Sequence, residues 1–109
     1  MTFSVGAADR PVEIGLGIQS DKRHDDYARL AALAEGCGFD VLSVFSDLWF
    51  QPPVYALLEM ARVTSRVRLG AACWNPYTMH PYEIAGQAAA LQQASGGRAY
   101  MGLARGAWM

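Results

Sequence analysis

Residues 66–103 read RVRLGAACWNPYTMHPYEIAGQAAALQQASGGRAYMGL, and their order of patterns decides the fold. Arg66 to Ala72 becomes short and apolar after a basic start and reads as a strand, while Asn75-Pro76 marks a turn within the loop Cys73 to His80. Pro81 suits the first turn of a helix, where its missing N–H is not needed. That helix runs to about Ala94 with Ile84, Ala88 and Leu91 on one face. Ser95-Gly96-Gly97 closes it, because glycine takes up positive φ at little steric cost, and Ala99 to Leu103 reads as the next strand. Strand, crossover helix and strand in about 30 residues is a βαβ unit, whose two strands run parallel.

The same alternation extends upstream. Val12 to Ile18 is an apolar run followed by the polar loop Gln19 to Arg23, after which Tyr27, Leu30, Ala31 and Ala34 fall at helical spacing until Gly36 and Gly38. Phe39 to Phe45 reads as a second strand, and Pro52-Pro53 opens a helix whose inward stripe is Val54, Leu57, Leu58 and Ala61. Four strands and three helices in strict alternation make an α/β arrangement with a parallel sheet and right-handed crossovers. A doubly wound sheet and part of a barrel both accept this pattern, but a closed barrel needs eight units and about 250 residues. The chain stops at Ala107-Trp108-Met109, with no helix to cover the fourth strand, so the expectation is a truncation.

At 109 residues a single domain is expected, and two are excluded. Hydrophobic residues make up 52% and charged residues 17%, which excludes a disordered chain. A formal net charge of -1 without a basic run argues against a nucleic-acid partner. No stretch reaches the roughly 18 to 20 apolar residues that cross a bilayer, and Met1 to Pro11 lacks a basic region followed by an apolar run, so no membrane partner and a cytoplasmic location are expected. Cys37 and Cys73 lie far apart without CxxC spacing, which reads as two buried free thiols with no disulfide and no metal site.

In parallel α/β folds the ligand lies at the carboxyl ends of the strands. Those positions are polar here: Gln19 and Ser20, Ser46 and Asp47, Cys73 to Asn75, and Ala104 to Gly106. They are expected to converge on one mouth. Asp47 is the only carboxylate among them and could accept a hydrogen bond from a cofactor or move a proton, with a turn-capping role as the plain alternative. His80 reads as a helix cap and His24 as a solvated helix start. Gly15-Leu16-Gly17 lies inside a strand and reads as close packing, whereas Gly102 to Gly106, with Arg105 between the glycines, suits a phosphate or acidic tail. Trp49, Phe50, Trp74 and Tyr77 fall in loops after strands, where aromatics suit a flat heterocycle or cover the core rim.

Three motifs in register complete the sequence reading: Gly38-Phe39 into a strand ending Ser46-Asp47, Leu69 to Pro81, and Ser95 to Leu103. Together they resemble the bacterial luciferase-like superfamily of flavin- and deazaflavin-dependent oxidoreductases, closest in pattern to its methylenetetrahydromethanopterin reductase branch, over roughly residues 12 to 106. The resemblance implies a partial TIM (β/α)8 barrel, strands one to four of eight, with residues 1–109 as the N-terminal half of that domain. It implies coenzyme F-420, or alternatively FMN, at the carboxyl face, and hydride transfer between the cofactor's C5 and a small organic substrate.

Asp47 carries the catalytic, ring-contacting role by this resemblance, and Ala72-Cys73 matches a non-prolyl cis peptide that forms a bulge behind the ring. Ser46, Asn75, Gly102, Arg105 and Gly106 join Asp47, Ala72 and Cys73 as the implied cofactor-binding set. Two positions depart from the pattern: Leu48 stands where the deazaflavin members often have His, and Ala107 where the reductases continue with Asp. Asn75-Pro76-Tyr77-Thr78 leans toward the deazaflavin branch over the monooxygenases. The rival readings are an FMN-dependent monooxygenase fragment, a non-catalytic α/β module in which two half-barrels pair as a homo-oligomer through their open edges, and a truncated product without function. As a fragment missing its C-terminal half, the chain is expected to be inactive alone.

Overall fold

The computed structural model describes residues 12–106. Its elements follow in the order β1 (Gly15–Ile18), α1 (His24–Gly36), β2 (Val41–Phe45), α2 (Pro53–Val63), β3 (Arg68–Ala72) and α3 (Pro81–Ala94). The strands form a parallel sheet in the order β1-β2-β3, with Gly17 beside Ser43 and Ser43 beside Gly70. Each strand starts two or three residues later than the apolar run suggests. The lead-in residues are spent on the turns instead, as where Asp40 Oδ2 accepts from the Ile14 N–H at 2.9 Å.

One face of the sheet is buried. Leu42, Val44, Leu69 and Ala71 are fully covered by the helices, and Tyr27, Ala31, Ala56, Leu57, Met60, Ile84 and Leu91 belong to the same core. Burying a Leu or Val contributes about 1.5 to 3 kcal/mol each, so this layer dominates the fold's stability. The inward stripes of α2 and α3 match the periodicity, and Ala56 and Met60 widen that of α2. The opposite sheet face carries no helix. Gly17, Ser43, Phe45, Gly70 and Tyr100 stand there, which leaves Phe45 41% exposed despite its place in the central strand.

The predicted fourth strand is corrected. Residues 99–103 run parallel to β3 but meet it only at two isolated bridges, Leu69 with Ala99 and Trp74 with Leu103. The physical reason lies in the count: five steps separate the bridge residues on the β3 side and four on the other. The extra residue interrupts the ladder as a bulge, and the Ala72–Cys73 peptide bond inside it is cis. Tyr100 N–H to Leu69 O at 2.9 Å and Trp74 N–H to Gly102 O at 2.8 Å pin the segment on either side.

The thiol expectation is corrected too. Cys37 is exposed because it caps α1, one residue beyond its last turn, and Cys73 is only half-buried because it lies at the strand end beyond the helix-covered layer. Trp74 is fully buried and donates its Nε1–H to Gln87 Oε1 at 3.0 Å, so it belongs to the core and not to the mouth. At the close of α3, Gly96 and Gly97 have φ of 67° and 92°, the left-handed region expected of a glycine cap.

Two side chains fasten the amino-terminal end of the sheet. The Arg98 guanidinium donates to Ser95 O (2.7 Å), Val67 O (2.8 Å), Thr64 O (2.9 Å) and Thr64 Oγ1 (3.0 Å), joining the ends of α2 and α3 to the start of β3. The Glu35 carboxylate accepts from the N–H groups of Ser65, Arg66 and Val67, which have no helix or strand partner in that loop. Burial acts to raise the Glu35 pKa, but these amides and the neighbouring Arg66 charge outweigh it and hold the carboxyl below its ordinary value.

Two outcomes are expected. Arg98→Ala leaves several carbonyls without their donor and lowers unfolding stability by about 2 to 3 kcal/mol in urea titration, and Lys at the same position recovers only part of it. Since the folded pKa of Glu35 lies below the unfolded value of about 4.5, its stabilisation is full above that pH and is lost as pH falls through the folded value. Glu35→Gln is therefore expected to lower stability at pH 7 and to flatten the acid limb of a stability-against-pH curve.

Candidate active site

The carboxyl ends of the strands converge on a single cavity of about 330 Å³. Gln19 from the end of β1, Phe45, Ser46 and Asp47 from β2, Ala72, Cys73 and Asn75 from β3, and Ala104 and Gly106 from the last segment line it. Of the residues singled out in the sequence, Ser46, Asp47, Ala72, Cys73, Asn75 and Gly106 are brought together here. Gly102 and Arg105 are not part of the lining. Gly102 lies behind it, so close to β3 that a Cβ would stand 2.5 Å from Ala71 O, and Arg105 contributes its carbonyl to a hydrogen bond.

Hydrogen bonds fix Asp47, Ser46 and Asn75 in the lining. Asp47 Oδ1 accepts from Trp49 N–H at 3.1 Å and Asp47 O from Phe50 N–H at 3.0 Å, so the carboxylate caps its turn while still facing the cavity wall. The capping role and the lining role coexist. Ser46 N–H donates to Ala72 O at 3.3 Å, which ties the ends of β2 and β3 together. Asn75 spans the mouth: its Nδ2 donates to Arg105 O at 2.7 Å and its Oδ1 accepts from Tyr77 N–H at 2.8 Å.

Behind the rim, Gln51 N–H bonds Ser20 O at 3.1 Å and Gln51 Nε2 bonds Lys22 O at 2.9 Å, bracing the loop after β1 against the loop after β2. Lys22 N–H in turn reaches the hydroxyl of buried Tyr27 at 2.9 Å. Ser20 Oγ and Gln51 Oε1, a donor and an acceptor in the same braced cluster, are buried without a protein partner. Trp49, Phe50 and Tyr77 are exposed around the rim, Trp49 at 84%. His80 caps α3, its Nδ1 accepting from Tyr82 N–H at 3.0 Å, and His24 stacks on Tyr55 at the start of α1. Among the described residues no group of three or more His, Cys, Asp or Glu could hold a metal ion, and no helix is long and apolar enough to cross a membrane.

Phe45 was legible only as strand. Its parity against Leu42 and Val44 places it on the uncovered face, and its ring leans over Gly17, where a Cβ would approach it to 2.5 Å. That geometry floors the cavity with an aromatic edge beside the small residues Ala72 and Cys73.

Residues 3–108 match the luciferase-like monooxygenase family. The chain belongs to that family. It is 33% identical over 95 residues to the 5,10-methylenetetrahydromethanopterin reductase of Methanopyrus kandleri, covering 87% of this chain and 27% of the reductase. The same-named protein of Methanolobus tindarius is 38% identical over 80 residues, 72% of this chain and 24% of that protein. Among solved structures, the coenzyme F420 dependent tetrahydromethanopterin reductase from Methanopyrus kandleri superposes with a TM-score of 0.81 at 32% identity, over 86% of this chain and 27% of that one. The monooxygenase RslO1 from Streptomyces bottropensis gives 0.75 at 26%, over 84% and 32%. The FMN-bound oxygenating constituent of 3,6-diketocamphane monooxygenase from Pseudomonas putida gives 0.73 at 21%, over 87% and 30%, and is alike in fold. The chain thus spans about a quarter of the length of the curated relatives it matches, and its three parallel strands and three helices are part of the luciferase-like TIM barrel.

The close approach of residue 102 to β3 gives a direct test of the rim. Gly102→Ala sets a methyl group against the Ala71 carbonyl, a backbone atom that cannot swing aside. The variant is expected to lose about 1 to 3 kcal/mol of stability, read as a lower thermal midpoint, and to loosen the Trp74 to Gly102 hydrogen bond in amide exchange.

Proposed function

We propose that this chain is the N-terminal, ring-binding part of an oxidoreductase that transfers hydride between coenzyme F-420 and a small organic substrate. The observation that carries the proposal is the convergence of Ser46, Asp47, Ala72, Cys73, Asn75 and Gly106 on one cavity at the carboxyl end of a parallel sheet. The identities to two archaeal reductases, and the F420 dependence named for the Methanopyrus kandleri structure, support the deazaflavin over other rings.

The residues present fit such a group. Phe45, Ala72 and Cys73 offer a small-residue floor with an aromatic edge, which suits a flat ring. Asp47, with one carboxylate oxygen held by Trp49 N–H, keeps acceptor capacity for a ring N–H or hydroxyl. When bound, the deazaflavin supplies a ring carbon that accepts or gives up hydride. The protein's share is position and exclusion of water: Asn75 fixes the loop that closes one side, and Ser46 and Asp47 fix the other. Leu48 brings no titratable group next to Asp47, so Asp47 is the residue assigned to any proton held at this side of the cavity. Gly106, in the cavity lining, and its neighbour Arg105, which brings a positive charge to the same segment, are assigned to the cofactor's acidic tail. A second reading is an FMN-dependent monooxygenase, of which the likeness to the monooxygenase RslO1 supports the monooxygenase part.

Titration of the chain with F-420 and with FMN, followed by ring fluorescence, tests both. The proposal expects micromolar binding of F-420, weaker binding of FMN, and about tenfold weaker F-420 binding by Asp47→Ala, near 1.4 kcal/mol. Tighter binding of FMN supports the second reading, and F-420 binding that Asp47→Ala leaves untouched contradicts the assigned role of Asp47.

A further inference from the structure

On the uncovered sheet face, two glycines each lie under an aromatic ring. Gly17, Ser43 and Gly70 share one row across the strands, and side chains alternate along a strand, so Phe45 stands on the same face two residues nearer the carboxyl end. The Phe45 ring does not stand upright in its own row. It leans back over β1, where a Cβ on Gly17 would meet its Cζ at 2.5 Å and its Cε1 at 2.7 Å. The tip of the ring thus occupies the space that any other residue at position 17 would fill with its own side chain.

The neighbouring hollow is already taken. A Cβ on Gly70 would stand 2.6 Å from the Tyr100 ring, and the Tyr100 hydroxyl hydrogen-bonds Ser43 Oγ, which closes the middle of the row. Phe45 also lines the cavity, paired with Ala72 of β3 and close to Cys73. A ring denied its place over Gly17 rises off the sheet or turns toward Ala72, and either movement takes space from the cavity. At Gly70 and Gly102 a Cβ would meet the backbone oxygens of Tyr100 and Ala71, which cannot swing aside. At Gly17 it meets the far end of one side chain, so a rotamer change relieves the clash and the cavity changes before the fold does.

We infer that Gly17 is a positioning residue that sets the depth of the cavity: its missing side chain lets the Phe45 ring lie down, which opens the floor beside Ala72 and Cys73 to a flat heteroaromatic ring. Gly17 is not in the cavity lining and acts through Phe45. The choice of ligand rests on the ring-binding reading of the cavity, whereas the contact between residue 17 and Phe45 does not.

The experiment compares the 109-residue chain with its Gly17→Ala, Phe45→Ala and doubly substituted variants. Titration with F-420 reads binding, and nuclear Overhauser contacts of the Phe45 ring protons, recorded without cofactor, read where the ring lies. The expected result is a ring that touches residue 17 in the unsubstituted chain and leaves it in Gly17→Ala, with F-420 binding weakened about tenfold. In the Phe45→Ala background, where no ring is left to lift, Gly17→Ala is expected to change binding by less than about twofold. Equal weakening in both backgrounds, unchanged binding by Gly17→Ala, or a ring that stays over residue 17 each overturns the inference. So does an unfolded Gly17→Ala chain, since the Phe45 ring is then locked in place. If the unsubstituted chain binds no F-420, it is the F-420 reading that fails, and the position of the Phe45 ring alone decides the role of Gly17.

Discussion

The burial of Leu42, Val44, Leu69 and Ala71 beneath the helices is the interaction on which the rest of the structure depends. It fixes which face of each strand points to the helices, and a parallel sheet with all its crossovers on one face has both its loops and its strand ends sorted by direction. The loops that follow the strands must then gather at one rim. Asp47, Asn75 and the bulged Ala72–Cys73 pair meet there because of sheet geometry, although they are up to 28 positions apart in the chain.

The opposite face follows from the same constraint. Side chains alternate along a strand, so a strand that sends Leu42 and Val44 to the helices sends Ser43 and Phe45 the other way. The residues on that face are small or aromatic, with Gly17 under the Phe45 ring and Gly70 under that of Tyr100. Packing of this kind suits the interior of a closed barrel, where strands curve toward one another and a Cβ at every position would not fit.

Much of this was legible in the sequence. The βαβ alternation, the proline starts of α2 and α3, and the glycine end of α3 each rest on local chemistry and appear where that chemistry requires. Strand-end polarity located the cavity, and the family motifs located the cis bond at Ala72–Cys73. The misses were tertiary. The break in the fourth strand depends on a one-residue mismatch between two segments, which no single segment's pattern records. Trp74 reads as a loop aromatic because only the bulge turns it inward, and Cys37 reads as buried because its small neighbours do not reveal that it lies just past the helix end. The anchoring roles of Arg98 and Glu35 depend on carbonyls and amides brought from three other segments, so charge patterning along the chain carries no trace of them.

The central claim is that the rim at the carboxyl ends of the strands is a ring-binding site built from three strand ends and the segment after residue 99. Amide hydrogen exchange with and without F-420 tests it most directly. The account predicts slowed exchange grouped at residues 19–20, 46–51, 73–78 and 102–106, with the helices unchanged. Protection confined to a single loop, or found on the helical side of the sheet, would contradict it.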